Sequence, residues 1–171
     1  MPFTFLDVPY ADDVDSISYL ADQLRQLAKT LEERTGRKFQ EEQLKEIMRT
    51  ENETRAELMK FFDYQKTYYY PGELISHLYM MMGMHLLIGT REFLDLIRFM
   101  NEEIQKAPLF EGKRILWIHL MPFYQESLKK YFNSSKKYQI IASDIILDFM
   151  EELDAEHPFE ALARKIIKNL Y

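Results

Sequence analysis

The sequence predicts a helix-rich α/β protein in which an N-terminal helical segment is followed by the start of a parallel, Rossmann-like α/β lobe. Three observations predict it. Apolar residues recur at helical spacing through most of residues 12–107. From Lys113 onward, short β-branched and aromatic runs alternate with amphipathic stretches in the order strand–helix–strand–helix. Units of that order form parallel crossovers. We therefore divide the chain into residues 1–110, a helical linker region with a short N-terminal strand, and residues 111–171, a partial parallel α/β lobe.

The opening Phe3-Thr4-Phe5-Leu6 is β-prone and precedes Pro9. Asp12 or Asp13 can N-cap a first helix, because a carboxylate there accepts orphan backbone N–H groups and meets the positive dipole end. Ile17, Leu20, Leu24, Leu27 and Leu31 form its apolar stripe, and Gly36 is placed to stop it after Thr35. A second helix starts near Gln40, with Glu41 and Glu42 in its first turn. Leu44, Ile47, Met48, Leu58, Met59 and Phe62 carry its apolar face. Its polar middle, residues 50–55, is either solvated or crosses a partner. Pro71-Gly72 ends it after about Tyr69. A third helix, residues 72–87, is apolar nearly all round and is expected to be buried. Thr90 caps a fourth that runs to about Ala107, with Phe93, Leu94, Ile97, Met100 and Ile104 inward.

In the second region, residues 114–120 read as a buried strand and residues 123–133 as an amphipathic helix. Residues 138–142 read as a second strand, ended by Ser143-Asp144 and followed by a helix to about Leu153. The last helix starts at Pro158, a favourable first helical residue, and runs to Tyr171 with Ala163, Ile166, Ile167 and Leu170 on its apolar side. Two parallel strands are too few for an independent sheet, and parallel sheets need cover on both faces. Further strands are expected beyond Tyr171 or in a partner chain.

Composition narrows the function classes. The chain is 47% hydrophobic and 14% aromatic, enough to fill a core. A net charge of -6 disfavours nucleic-acid binding, which needs a basic surface. There is no cysteine, so thiolate catalysis, disulfides and cysteine-held metals within the chain are excluded. With no signal peptide and no apolar run of membrane-spanning length, the chain reads as cytoplasmic, with no membrane partner. No phosphate loop, dinucleotide fingerprint or Gly-x-Ser-x-Gly elbow occurs.

Chemistry is expected at the carboxyl ends of the parallel strands, where ligands sit in open sheets. Parallel pairing brings His119, Pro122, Tyr124 and Gln125, after the first strand, beside Ser143 and Asp144, after the second. His119 can exchange a proton near neutral pH, and Tyr124 and Gln125 can hydrogen-bond a ligand. The helix start after Pro122 could receive a carbonyl or phosphate oxygen. The simpler reading makes His119 a packed strand-end residue, Tyr124 core, and Asp144 a helix cap. His77, Met81 and His85, with Glu73 one turn earlier, share a helix face that could bind a metal but also suits core filling. Tyr68-Tyr69-Tyr70 is an aromatic platform or a packed helix end. The acidic stretch 151–157 and the aspartates 12, 13 and 15 lack calcium-loop spacing.

Four stretches carry a likeness to a known family. They are Leu6-Asp7-Val8-Pro9-Tyr10 leading into residues 19–24; residues 31–38 with Glu42-Gln43-Leu44; Gly112-Lys113-Arg114-Ile115-Leu116-Trp117 with Pro122; and Glu152-Leu153-Asp154 with Pro158 and Leu162-Ala163-Arg164. In order and spacing the chain resembles the 2-hydroxyglutaryl-CoA dehydratase D-component family, which includes 2-hydroxyacyl-CoA dehydratases and benzoyl-CoA reductase subunits. The resemblance implies a two-lobed α/β lyase subunit of anaerobic metabolism that binds a CoA thioester and pairs with a related dehydratase subunit. It also implies a 4Fe-4S iron–sulfur cluster on cysteines in the full-length member. An ATP-dependent activator protein supplies one electron, and water leaves through a ketyl radical. A chain without cysteine departs from that pattern. It would be a central fragment, without a cofactor of its own and inactive alone. The loop at residues 119–124 resembles the family's strand-end loop facing the active cleft. The alternative is a non-catalytic helical protein-interaction module.

Overall fold

In the computed structural model, residues 4–119, 122, 126–145 and 151–169 are described. They fall into two compact units, one of Met1–Arg49 and Glu151–Tyr171, the other of Thr50–Met150. Among the described residues there are six α-helices and a two-stranded parallel sheet. Two strands by themselves do not make a Rossmann-like lobe. No helix among the described residues is long and apolar enough to cross a membrane.

The first unit is built on α1 (Val14–Thr35) and α6 (Pro158–Asn169). Asp13 caps α1 by accepting the Ser16 N–H at 2.8 Å. Gly36 closes it with φ 68°, a conformation glycine adopts without the Cβ penalty, and its N–H donates to Glu32 O. Ile17, Leu20 and Ala21 of α1 pack with Phe159, Ala163 and Ile167 of α6. Residues 4–9 form no strand. Gln23 of α1 accepts the Asp7 N–H and donates to the Asp7 carbonyl, at 2.8 and 2.9 Å. With these backbone groups satisfied by a side chain, Leu6 and Val8 pack onto the α1–α6 cluster instead.

The helix expected to run to about Leu153 does not include residues 151–153. Residues 151–157 are not helical. Asp154 holds them as a turn by accepting the Glu156 N–H at 3.0 Å and pairing with His157 Nδ1 at 2.8 Å. Residues 146–150, where the rest of that helix was placed, lie outside the described residues, as do Leu170 and Tyr171.

α2 (Glu41–Gln65) begins in the first unit and ends in the second. Its polar middle is mostly buried: Thr50, Glu51, Thr54 and Arg55 are buried, with Arg55 donating to Glu51, while Glu53 is exposed and pairs with Arg98. The helix stops four residues before the expected end. Tyr68 pairs antiparallel with Leu109, and the N–H groups of Tyr69 and Phe110 donate to the carbonyls of Pro108 and Thr67. Those tertiary bonds replace the helical ones.

The second unit buries one cluster. It comprises Leu58, Phe61 and Phe62 of α2, Leu74, Leu78, Met81 and Met84 of α3 (Leu74–Leu87), and Phe93, Ile97 and Ile104 of α4 (Arg91–Ile104), with Ile140 from the sheet. Thr90 caps α4 by accepting the Phe93 N–H at 3.3 Å. α3 is apolar all round but not buried all round: Tyr79 is 68% and Leu86 70% exposed.

β1 (Lys113–Trp117) and β2 (Tyr138–Ser143) pair in parallel with Lys113 opposite Tyr138, and a register shift falls between Ile115 and Leu116. α5 (Glu126–Phe132) connects them. Ile115 and Trp117 pack against the core cluster, whereas Leu116 and Ile118 are 56% and 72% exposed. The expected buried strand is thus covered on one face only.

Candidate functional site

The parallel pairing brings the ends of β1 and β2 together, and one carboxylate organises them. The Asp144 N–H donates to Trp117 O at 3.2 Å, extending the ladder past Ser143. Asp144 in turn accepts the His119 N–H on both oxygens, at 2.8 and 3.0 Å, and the Ile145 N–H on Oδ1 at 2.8 Å. The Ser143 hydroxyl lies 3.5 Å from Asp144 Oδ1, and Ser143 is fully buried. His119 has φ 72°, in the left-handed region that side chains rarely adopt. Asp144 therefore fixes an unfavourable backbone turn at the strand end, with the His119 residue exposed to solvent.

Of the residues expected here, His119, Ser143 and Asp144 are in contact, and Pro122 is half-buried in the following loop. Tyr124 and Gln125 lie outside the described residues. The arrangement offers an exposed imidazole on a braced loop, able to hydrogen-bond a ligand oxygen.

Sequence reasoning missed what supports this edge. Gln139 of β2 is buried; its Nε2 donates to Gln65 O and Tyr68 O at 2.6 and 2.9 Å, and its Oε1 accepts the Tyr70 N–H at 2.8 Å. Asn133 accepts the Leu74 N–H at 3.1 Å and so caps α3 from a distance, where Glu73 makes no side-chain cap. Trp117 meets Phe132 edge-on at 5.8 Å, and its buried Nε1 has no hydrogen-bond partner among the described residues. A lone glutamine in an apolar strand was the one available signal for Gln139.

The other candidates have separate partners. His85 Nδ1 lies 2.7 Å from Met81 O on its own helix, and Met81 is in the core. His77 packs edge-on to Tyr70 at 6.2 Å, and burial pushes its imidazole down to about 4. Among the described residues, no three His, Asp or Glu side chains are grouped to hold a metal ion. Tyr69 stacks on Phe110 and donates to Ser134 O at 2.7 Å, and Tyr70 meets Phe61 edge-on. Beside them lies an apolar cleft of about 500 Å³, walled by Tyr69, Tyr70, Pro71, Phe99 and Met100. The acidic stretch is ion-paired rather than clustered: Glu151 takes Lys168 and Glu156 takes Arg49.

No curated protein matches the chain. Residues 1–171, its whole length, match the model of the family described as 2-hydroxyglutaryl-CoA dehydratase, D-component.

Proposed function

The chain belongs to the 2-hydroxyglutaryl-CoA dehydratase D-component family, and from that premise we propose that it forms part of a cytoplasmic lyase subunit that removes water from a 2-hydroxyacyl-CoA thioester. The observation that carries this reading to particular residues is the grip of Asp144 on the His119 N–H at the carboxyl edge of the parallel pair. That edge is where open parallel sheets receive ligands. His119 would meet the thioester or hydroxyl oxygen, and Ser143 and Asp144 would hold the loop that presents it. Pro122 belongs to the same loop, as do Tyr124 and Gln125 on sequence grounds.

The resemblance also implies a 4Fe-4S cluster, and the residues present do not fit one. The chain has no cysteine to supply a thiolate. On this reading the sulfur ligands belong to other polypeptide, a related dehydratase subunit is the partner, and an ATP-dependent activator protein delivers the electron. This chain alone would bind but not turn over. The family name favours dehydration over ring reduction, although one fold can serve both.

A second reading, a protein-interaction module, is favoured by the exposed apolar residues Tyr79, Met82 and Leu86 on α3 and Phe99 on α4. Trp117 is the sole tryptophan and ends β1, so it reports on this edge. A 2-hydroxyacyl-CoA should change its fluorescence saturably, and His119→Ala should weaken that response. An unchanged signal with every 2-hydroxyacyl-CoA tried would remove the thioester reading and leave the interaction module.

A further inference from the structure

We infer that the first unit carries a binding site for a medium-chain acyl carboxylate, formed where α1 ends. A cavity of about 350 Å³ opens there between Leu24, Leu27 and Leu31 of α1, Phe39, and Phe159 and Leu162 of α6. Its size lies within the range of small-molecule sites. Its walls are apolar, and two of them, Leu31 and Phe39, are 51% and 41% exposed.

All of its polar lining lies at one end. Glu32 is occupied by the Phe39 N–H at 2.7 Å. The Thr35 hydroxyl donates to Leu31 O and accepts the Arg37 N–H. Arg37 and Lys38 remain, and among the described residues neither has a carboxylate partner. A hollow of about 420 Å³ lined by charged residues adjoins the cavity, sharing Glu32, Arg37 and Lys38 and adding Lys29, Glu33 and Gly36. Three cations therefore face two carboxylates, one of them already engaged, in a chain whose net charge is -6. The negative end of the α1 dipole accounts for cations at a helix terminus. It does not account for an open apolar cavity behind them. An apolar tail with an anionic head matches both halves, by area removed from water at one end and charge at the other.

This inference does not rest on the thioester reading, and its residues belong to a different unit. The test is residue-resolved NMR of the full chain titrated with decanoate below its micellar range. Acetate supplies the head without the tail, and decyltrimethylammonium the tail with a cation. Decanoate should shift the amides of Leu27, Leu31, Phe39 and Leu162 saturably, with neither control doing so at equal concentration. Arg37→Ala with Lys38→Ala, both on exposed residues and expected to leave the melting temperature unchanged, should weaken decanoate about tenfold, the loss of one charge-assisted contact. The site is disproved if decanoate gives no saturable shift, if the ammonium binds as well, or if the double variant binds equally. It is also disproved if the same amides shift with protein concentration alone, since a second copy would then cover the cavity.

Discussion

His119 stands at φ 72°, and a left-handed backbone costs a side-chain-bearing residue roughly 1–2 kcal/mol. A strained residue held by a carboxylate at the mouth of a parallel sheet is where strain and function tend to coincide. Two substitutions separate them. His119→Gly should raise stability by about 0.5–1 kcal/mol, because glycine adopts this φ freely, while weakening the response to a thioester as His119→Ala does. Asp144→Ala should lower stability by about 1–2 kcal/mol, since the His119 and Ile145 N–H groups lose their acceptor. Urea midpoints of the two variants check both signs.

His77 makes a pH prediction. Its folded value near 4 lies below the ordinary 6.5 because burial disfavours the cation. Between those values the unfolded chain binds a proton that the native imidazole refuses, so stability rises with pH across the window and is lost as pH falls from about 6.5 to about 4. The loss attributable to this residue is roughly 2–3 kcal/mol. It should be absent from His77→Phe when urea midpoints are compared at pH 7 and pH 4.5. His119, Ser143 and Asp144 could be placed together from sequence because strand-end logic depends only on strand order. Gln139 could not, because its partners are backbone groups some 70 residues away that no local pattern announces.

At the scale of elements, chain signals succeeded where an end is decided locally. Asp13, Gly36, Thr90 and Pro158 mark the helix ends the sequence assigned to them. Ends decided by tertiary bonds were misread. α2 stops at Gln65 because Gln139 and the pairing of Tyr68 with Leu109 take the backbone groups that a further turn would use. Gln139→Leu should therefore cost at least about 2 kcal/mol by stranding buried carbonyls and an N–H. Hydrogen exchange should show the loss as faster exchange at Tyr70. The N-terminal segment had strand-like residues but no strand partner, and Gln23 took its place. Burial of α3 was overestimated because composition gives apolarity, not the number of neighbours. Its outward residues Tyr79 and Leu86 are mostly exposed.

For the whole molecule, the parallel pair and the main helices were legible, and the N-terminal segment and the extent of the sheet were not. The alternation from Lys113 gave the parallel pair, and the match over residues 1–171 supplies the family that the four sequence stretches suggested. How far a sheet extends depends on strands that two short runs cannot reveal. Leu116 of β1 and Ile118 just after it are uncovered on the side away from the core.

The central claim is that a CoA thioester meets this protein at the carboxyl edge of β1 and β2. Amide resonances followed while a 2-hydroxyacyl-CoA is added test it most directly. The account predicts saturable shifts at Trp117, Ile118, His119, Ser143 and Asp144, weakened in His119→Ala. Saturable shifts confined to other residues, with these five unmoved, would contradict it.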